Sequence, residues 1–121
     1  MISISDYTNV LQEDILSSLN VIPFIETYSI DKDTLITNNY TSTYKFRLFI
    51  HFKQIYKITP PCYYVFYVSL SNNYYEIYLL EREINNKLVD TILNYLINNN
   101  VIYKIDNTTY RLTNIALLEV I

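Results

Sequence analysis

The sequence predicts an α+β fold: an N-terminal helix, an antiparallel meander of three to four strands, and an amphipathic helix followed by a β-hairpin. Three observations lead to this prediction. Apolar residues recur at helical spacing near the start of the chain and again between positions 84 and 96. Apolar and polar residues alternate from 44 to 53, which is the period of a strand. The turns that follow are too short for a crossover, so neighbouring strands are antiparallel.

The N-terminal helix is predicted over Asp6–Leu19, with Ser5 as its N-cap. Its apolar stripe consists of Tyr7, Leu11, Ile15 and Leu19. Pro23 prevents the helix from continuing. A short strand over Phe24–Ile30 follows, and the polar segment 31–42 is predicted to be a loop.

The meander is predicted from three segments. A long strand, Thr43–Ile58, ends at Thr59, Pro60 and Pro61, and a second strand covers Cys62–Leu70. The pair Asn72-Asn73 forms a turn before a third strand, Tyr74–Glu81.

Burial of the apolar residues suggests the register of the meander, since a slip of one residue exchanges the two faces of a strand. Placing Ile58 opposite Cys62 and Leu70 opposite Tyr75 brings the apolar side chains to one face. The core face then contains Tyr44, Phe46, Leu48, Ile50, Phe52, Tyr64, Phe66, Val68, Ile77 and Leu79. The other face contains Lys45, Arg47, Phe49, His51, Lys53, Lys57, Tyr63, Val65, Tyr67, Ser69, Tyr74, Glu76 and Tyr78.

The second face places cations beside aromatic rings, with Lys57 next to Tyr63 and Lys53 next to Tyr67 and Tyr78. Bases stack on such rings while Lys and Arg neutralise phosphates, which predicts a surface for single-stranded nucleic acid. The predicted binding residues on this face are Lys45, Arg47, His51, Lys53, Lys57, Tyr63, Tyr67 and Tyr78. The alternative is an ordinary exposed sheet face, or one that the first helix covers.

The C-terminal third predicts an amphipathic helix over Glu83–Ile97, ended by the run Asn98-Asn99-Asn100. A hairpin follows, with strands Val101–Ile105 and Thr109–Thr113 and a turn at Asp106 and Asn107. The closing segment 114–121 is either a short helix or an edge strand, and a homodimer is a candidate assembly.

The helix and hairpin, with the sequence Tyr110-Arg111-Leu112-Thr113, resemble the last helix and wing of winged helix-turn-helix domains over residues 84–118. The resemblance implies that the helix enters the major groove and that Lys104 and Arg111 contact phosphates. The small size, abundant tyrosine and biased composition of the whole chain resemble small proteins of archaeal viruses or plasmids.

Several functions are disfavoured. The chain has no glycine, so it has neither a phosphate loop nor a dinucleotide fingerprint. His51 and Cys62 are the only residues of their types and are predicted on opposite faces, and the ligands of a zinc site are missing. We therefore expect neither catalysis, nor a metal site, nor a cofactor. With no visible signal peptide or membrane span, we expect one soluble domain over 1–121 in the cytoplasm. The compositional resemblance implies that this cytoplasm is that of a virus-infected host cell.

Two hypotheses for the partner remain open. The first is nucleic acid, bound by a small non-enzymatic protein, for example a regulator. The second is a host protein complex, inhibited or adapted by a virus- or plasmid-encoded interaction module. The net charge of −3 disfavours non-specific binding to nucleic acid. However, acidic residues cluster in the N-terminal third and need not lie near the basic face: Asp6, Glu13, Asp14, Glu26, Asp31 and Asp33.

Overall fold

The predicted α+β class is confirmed by a computed structural model that describes residues 3–31, 34–37, 42–53, 55, 62–71, 74–82 and 87–113. The elements in chain order are α1 (Ile4–Leu19), β1 (Ile25–Ile30), β2 (Thr34–Thr37), β3 (Ser42–Phe52), β4 (Cys62–Ser71), β5 (Tyr74–Arg82), α2 (Lys87–Asn98), β6 (Ile102–Lys104) and β7 (Thr109–Leu112). The predicted closing segment, 114–121, lies outside the described residues.

The seven strands of the described residues belong to one antiparallel sheet, in which six follow the order β1-β3-β4-β5-β7-β6 and β2 pairs with β3 off this path. The predicted meander is its centre, β3-β4-β5, and the predicted hairpin is β6-β7. The hairpin extends the main sheet, because β7 pairs with β5.

Two strand predictions were wrong. Part of the predicted loop 31–42 is the strand β2, which pairs with the first half of β3 while β1 pairs with its second half. The predicted strand Thr43–Ile58 ends as β3 at Phe52. Cys62 stands opposite Ile50, and Ile25 stands opposite Phe52; these pairs end the two ladders of β3 within the described residues.

The predicted register between β3 and β4 was also wrong, because Cys62 pairs with Ile50 and not with Ile58. The register between β4 and β5 was correct, with Leu70 opposite Tyr75. The first error amounts to eight residues, which is an even number. Since side chains alternate with a period of two, the assignment of residues to faces is unchanged, but the neighbours across the strands are different.

Helix α1 begins two residues before its predicted start. The hydroxyl of Ser3, not Ser5, caps it by accepting a hydrogen bond from the Asp6 backbone N–H at 3.1 Å. The Ser5 hydroxyl instead forms a hydrogen bond with the Tyr44 hydroxyl at 2.8 Å. The predicted apolar stripe is confirmed, because all four of its residues are buried.

Both helices pack on the same face of the sheet, which we call the core face. The single core cluster combines residues of α1 and α2 with inward-facing residues of six strands. Its largest fully buried members include Tyr7, Leu11, Ile15, Phe46, Leu48, Ile50, Tyr64, Phe66, Ile77, Ile92 and Leu96. Phe46 and Phe66 stack at 5.0 Å between ring centroids in the middle of this cluster.

Tyr7 joins α1 to the sheet where β5 and β7 stop pairing. The ladder between these strands contains Ile77 opposite Tyr110 and Tyr78 opposite Thr109. Beyond it, the Tyr7 hydroxyl accepts a hydrogen bond from the Leu112 N–H at 2.8 Å and donates one to the Tyr75 carbonyl at 3.5 Å. The phenol thus bridges two backbone groups that no longer bond to each other.

Asn100 ends helix α2 in a left-handed conformation, with φ at 59°. The Asn100 N–H bonds to the Ile97 carbonyl at 3.1 Å, and the Val101 N–H bonds to the Leu96 carbonyl at 3.0 Å, which is the Schellman pattern. This confirms that the asparagine run ends the helix. In a chain without glycine, asparagine tolerates this conformation better than most residues.

We expect Asn100→Gly to raise the free energy of unfolding by about 0.5–1 kcal/mol, because glycine adopts positive φ without steric strain. Asn98→Gly is the matched control, since Asn98 is the last residue of α2 and glycine disfavours a helix. Denaturation with urea measures both. Equal effects of the two substitutions would contradict the explanation that the gain comes from relieving steric strain at the positive φ of Asn100.

Candidate nucleic-acid interface

The face of the sheet opposite the helices, which we call the outer face, carries most of the predicted binding residues. Because the buried stripe of α1 belongs to the core cluster, α1 does not cover the outer face. This decides against the alternative in which the first helix covers the cations. Helix α2 contributes Ile92, Leu93 and Leu96 to the same core cluster.

Strand β3 presents a row of cations on the outer face. Lys45 is half-buried, whereas Arg47 and His51 are exposed, and Lys53 is exposed directly after the strand ends. Alternate residues of a strand are about 6.8 Å apart, a spacing comparable to the phosphate repeat of an extended single strand. The fifth predicted cation, Lys57, lies outside the described residues.

One cation of this row has an acidic neighbour on the adjoining edge of the sheet. A terminal nitrogen of Arg47 lies 3.1 Å from a carboxylate oxygen of Asp31, and both side chains are about half exposed. The Asp31 N–H also bonds to the Arg47 carbonyl at 2.8 Å, which fixes the two residues beside each other. Within the described part of the chain, no carboxylate forms a salt bridge with Lys45 or Lys53.

The central row of the outer face crosses three strands. Lys45 stands opposite Tyr67, and Tyr67 stands opposite Tyr78. The Lys45 ammonium lies 5.7 Å from the centroid of the Tyr67 ring, within the range of a cation–π contact. The register error explains why Lys45, and not the predicted Lys53, neighbours this tyrosine pair. Both tyrosines are half-buried, so part of each ring faces solvent.

Glu76 fixes the position of Tyr78. The Tyr78 hydroxyl donates a hydrogen bond of 2.7 Å to carboxylate oxygen Oε2. This bond, together with burial, raises the pKa of Tyr78 to about 12. The phenol therefore remains protonated at neutral pH and continues to donate to Glu76.

Arg111 is held by the same carboxylate. Its terminal nitrogen Nη2 donates to Glu76 Oε1 at 3.2 Å, and its guanidinium carbon lies 4.5 Å from the centroid of the Tyr74 ring. Burial opposes its charge, but hydrogen bonds to Glu76 and Tyr103 raise the pKa of Arg111. The side chains of Arg111 and Glu76 are only 23% and 16% exposed, so this cation belongs to a packed cluster.

The hairpin places its two predicted phosphate contacts on different faces. Lys104 stands opposite Tyr110, which is buried in the core cluster, so Lys104 lies on the helix side and is exposed at the sheet edge. Arg111 is one residue further along β7 and lies on the outer face beside Glu76. Lys104 therefore lies on the opposite face from the other predicted binding residues with described positions in the strands. The outer face contains Lys45, Arg47, His51, Tyr67, Tyr78 and Arg111.

The outer face is not uniformly open. Val65 stands opposite Arg47 on this face, yet it is only 1% exposed. The pairing of β4 with β5 shifts by one residue next to Val65. Tyr63 stands opposite Phe49, but its side chain lies outside the described residues. Of the three predicted binding tyrosines, the two with described side chains are therefore those of the central row, Tyr67 and Tyr78; Tyr74 and Tyr103 are also half-buried on this face.

Acidic side chains of α1 lie on the far side of the molecule. Asp6 and Glu13 are exposed on the helix surface that faces away from the sheet. A helix with its side chains is about 10–12 Å thick, which exceeds the Debye length of about 8 Å at physiological ionic strength. These carboxylates therefore have little effect on a charged ligand at the outer face.

The sequence did not predict the roles of Asp31 and Glu76. The predicted polar loop 31–42 includes Asp31, whereas the pairing of β1 and β2 with β3 brings Asp31 to Arg47. Glu76 was placed on the correct face, but its link to Arg111 depends on the contact between β5 and β7. The one relevant sequence signal was the alternation along β5, which predicted that Glu76 and Tyr78 lie on the same face.

The described segments contain no group of three or more His, Cys, Asp or Glu side chains placed to hold a metal ion. Neither described helix has the length and apolar character needed to cross a bilayer.

Comparisons with protein-family models, curated proteins and solved structures find no match to this chain.

Proposed function

We propose that this protein binds single-stranded nucleic acid on the outer face of its sheet. The observation that carries the proposal is the central row, in which a lysine and two adjoining tyrosines cross three strands on the face without helices. Aromatic rings stack on bases of any sequence, and lysines neutralise the phosphates beside them.

In the proposed arrangement, bases stack on Tyr67 and Tyr78 while the sugar-phosphate backbone follows β3. Lys45 and Lys53 contact phosphates, since neither is engaged by a carboxylate in the described residues. Arg47 contributes after a phosphate replaces Asp31, because the exposed ion pair is weak in water.

The net charge of −3 is compatible with this proposal. Exposed acids of α1 are separated from the outer face by the thickness of the helix and the sheet. Charge at the surface of contact matters more for phosphate binding than the total charge, because distant charges are screened.

The test is to replace Lys45 and Lys53 by serine, singly and together, and to measure the affinity for a fluorescent single-stranded oligonucleotide at several salt concentrations. Each phosphate contact contributes about −0.7 to the slope of log affinity against log salt. The double variant should therefore bind about tenfold or more weakly at low salt and lose about 1.4 of the slope.

Lys104→Ser is the matched control, because it removes one exposed lysine from the helix side of the sheet. We expect it to leave the affinity nearly unchanged, whereas Asp31→Asn should strengthen binding by releasing Arg47. Unchanged affinity in the double variant, or an equal loss in the control, would remove the proposed function.

A further inference from the structure

The corner of the outer face formed by β5 and β7 contains four connected side chains, which we call the Glu76 cluster: Tyr74, Glu76, Tyr78 and Arg111. One carboxylate oxygen of Glu76 accepts from Tyr78 at 2.7 Å, and the other accepts from Arg111 at 3.2 Å. Arg111 in turn packs over Tyr74 at 4.5 Å. The cluster fixes the carboxylate at the hydroxyl end of the Tyr78 ring.

The carboxylate of Glu76 retains capacity for a ligand. An ionised carboxylate has about four acceptor positions, and the contacts to Tyr78 and Arg111 use two of them. The Glu76 side chain is 16% exposed, so solvent reaches part of it. A base stacked on Tyr78 extends its edge beyond the ring, toward this carboxylate.

We propose that Glu76 makes the surface selective for bases that carry an exocyclic amino group, with cytosine preferred over uracil. This inference rests on the proposed function. A carboxylate accepts a hydrogen bond from the cytosine N4 amino group. Uracil has a carbonyl oxygen at the same position, which cannot donate and is repelled by the carboxylate.

Arg111 is a positioning residue in this arrangement. Its Nη2 is bound to Glu76 and its guanidinium lies over the Tyr74 ring. Its Nε is buried without a hydrogen-bond partner, so that nitrogen is closed to a ligand as well. The guanidinium holds the carboxylate in place, while the carboxylate makes the contact that distinguishes the bases.

The experiment compares the affinities of the wild-type protein for oligocytidylate and oligouridylate of equal length, at the same salt concentration. We expect oligocytidylate to bind about fivefold or more tightly, since a good contact to a base edge discriminates by about 1 kcal/mol or more. Glu76→Gln should abolish this preference, because an amide both donates and accepts. Lys104→Ser should retain it, because Lys104 lies on the helix side of the sheet, away from Glu76.

A change in the ligand tests the same contact without altering the protein. Oligomers of N4,N4-dimethylcytidine keep a stacking ring but have no amino hydrogen, so they should bind no better than oligouridylate. Equal affinity for cytosine and uracil, or a preference that survives dimethylation, would overturn the role of Glu76 while leaving the proposed function intact. Failure to bind any oligomer would overturn the proposed function itself.

Discussion

Replacing both Tyr67 and Tyr78 by alanine is expected to weaken the binding of single-stranded oligonucleotides by about 30-fold or more. Each stacked base contributes about 1–3 kcal/mol, so the loss of two rings corresponds to about 2–6 kcal/mol. The two residues are opposite each other in the ladder between β4 and β5, so both rings lie at the centre of the same surface. Fluorescence anisotropy with a labelled oligonucleotide measures the change.

The matched controls are Tyr67→Phe and Tyr78→Phe, which keep the rings and remove only the hydroxyl groups. We expect these variants to bind within a few-fold of the wild-type protein. A thermal melt of each variant separates loss of binding from loss of folding. Full affinity in a folded double-alanine variant would exclude stacking on the central row.

Tyr7→Phe is expected to lower the free energy of unfolding by about 1–3 kcal/mol, which is the penalty of leaving buried polar groups without partners. Tyr7 is fully buried, and its hydroxyl accepts from Leu112 N–H and donates to the Tyr75 carbonyl. Phenylalanine keeps the ring packed against Tyr75, whose centroid is 4.9 Å away, but removes the acceptor of the buried Leu112 N–H and the donor to the Tyr75 carbonyl. Chemical denaturation measures the difference.

Tyr28→Phe is the control for this substitution, because the Tyr28 hydroxyl donates to the Asn20 side chain at an exposed position. Water replaces that bond, so we expect a change within about 0.5 kcal/mol. If the two substitutions had equal effects, the bridge between β5 and β7 would have no special energetic role.

The local elements were predictable where one periodicity extends over many residues. The stripe of α1, the alternation along β3 and the asparagine run after α2 are confirmed, because each reflects a repeated choice of residue type. The predictions failed where the signal is short and polar. The four residues of β2, Thr34–Thr37, have too little periodicity to distinguish an edge strand from a loop.

The sequence predicted the sheet face on which the site residues lie better than it predicted their neighbours on adjacent strands. The sequence predicts that Tyr67 and Tyr78 are adjacent, and they are, because only two residues separate β4 from β5 and limit their register. The connection between β3 and β4 is longer and allows several registers. The predicted register of β3 and β4 was wrong, so the prediction placed Lys53 beside Tyr67, where the structure places Lys45.

The sequence by itself determined which side chains point to each face of the central strands, since alternation depends only on the backbone of a strand. Only the tertiary structure decided that both helices cover the same face, that Asp31 pairs with Arg47, and that Glu76 connects Tyr78 to Arg111. These relations join residues distant in the chain. They depend on how strands order and helices pack, which local patterns of residues do not specify.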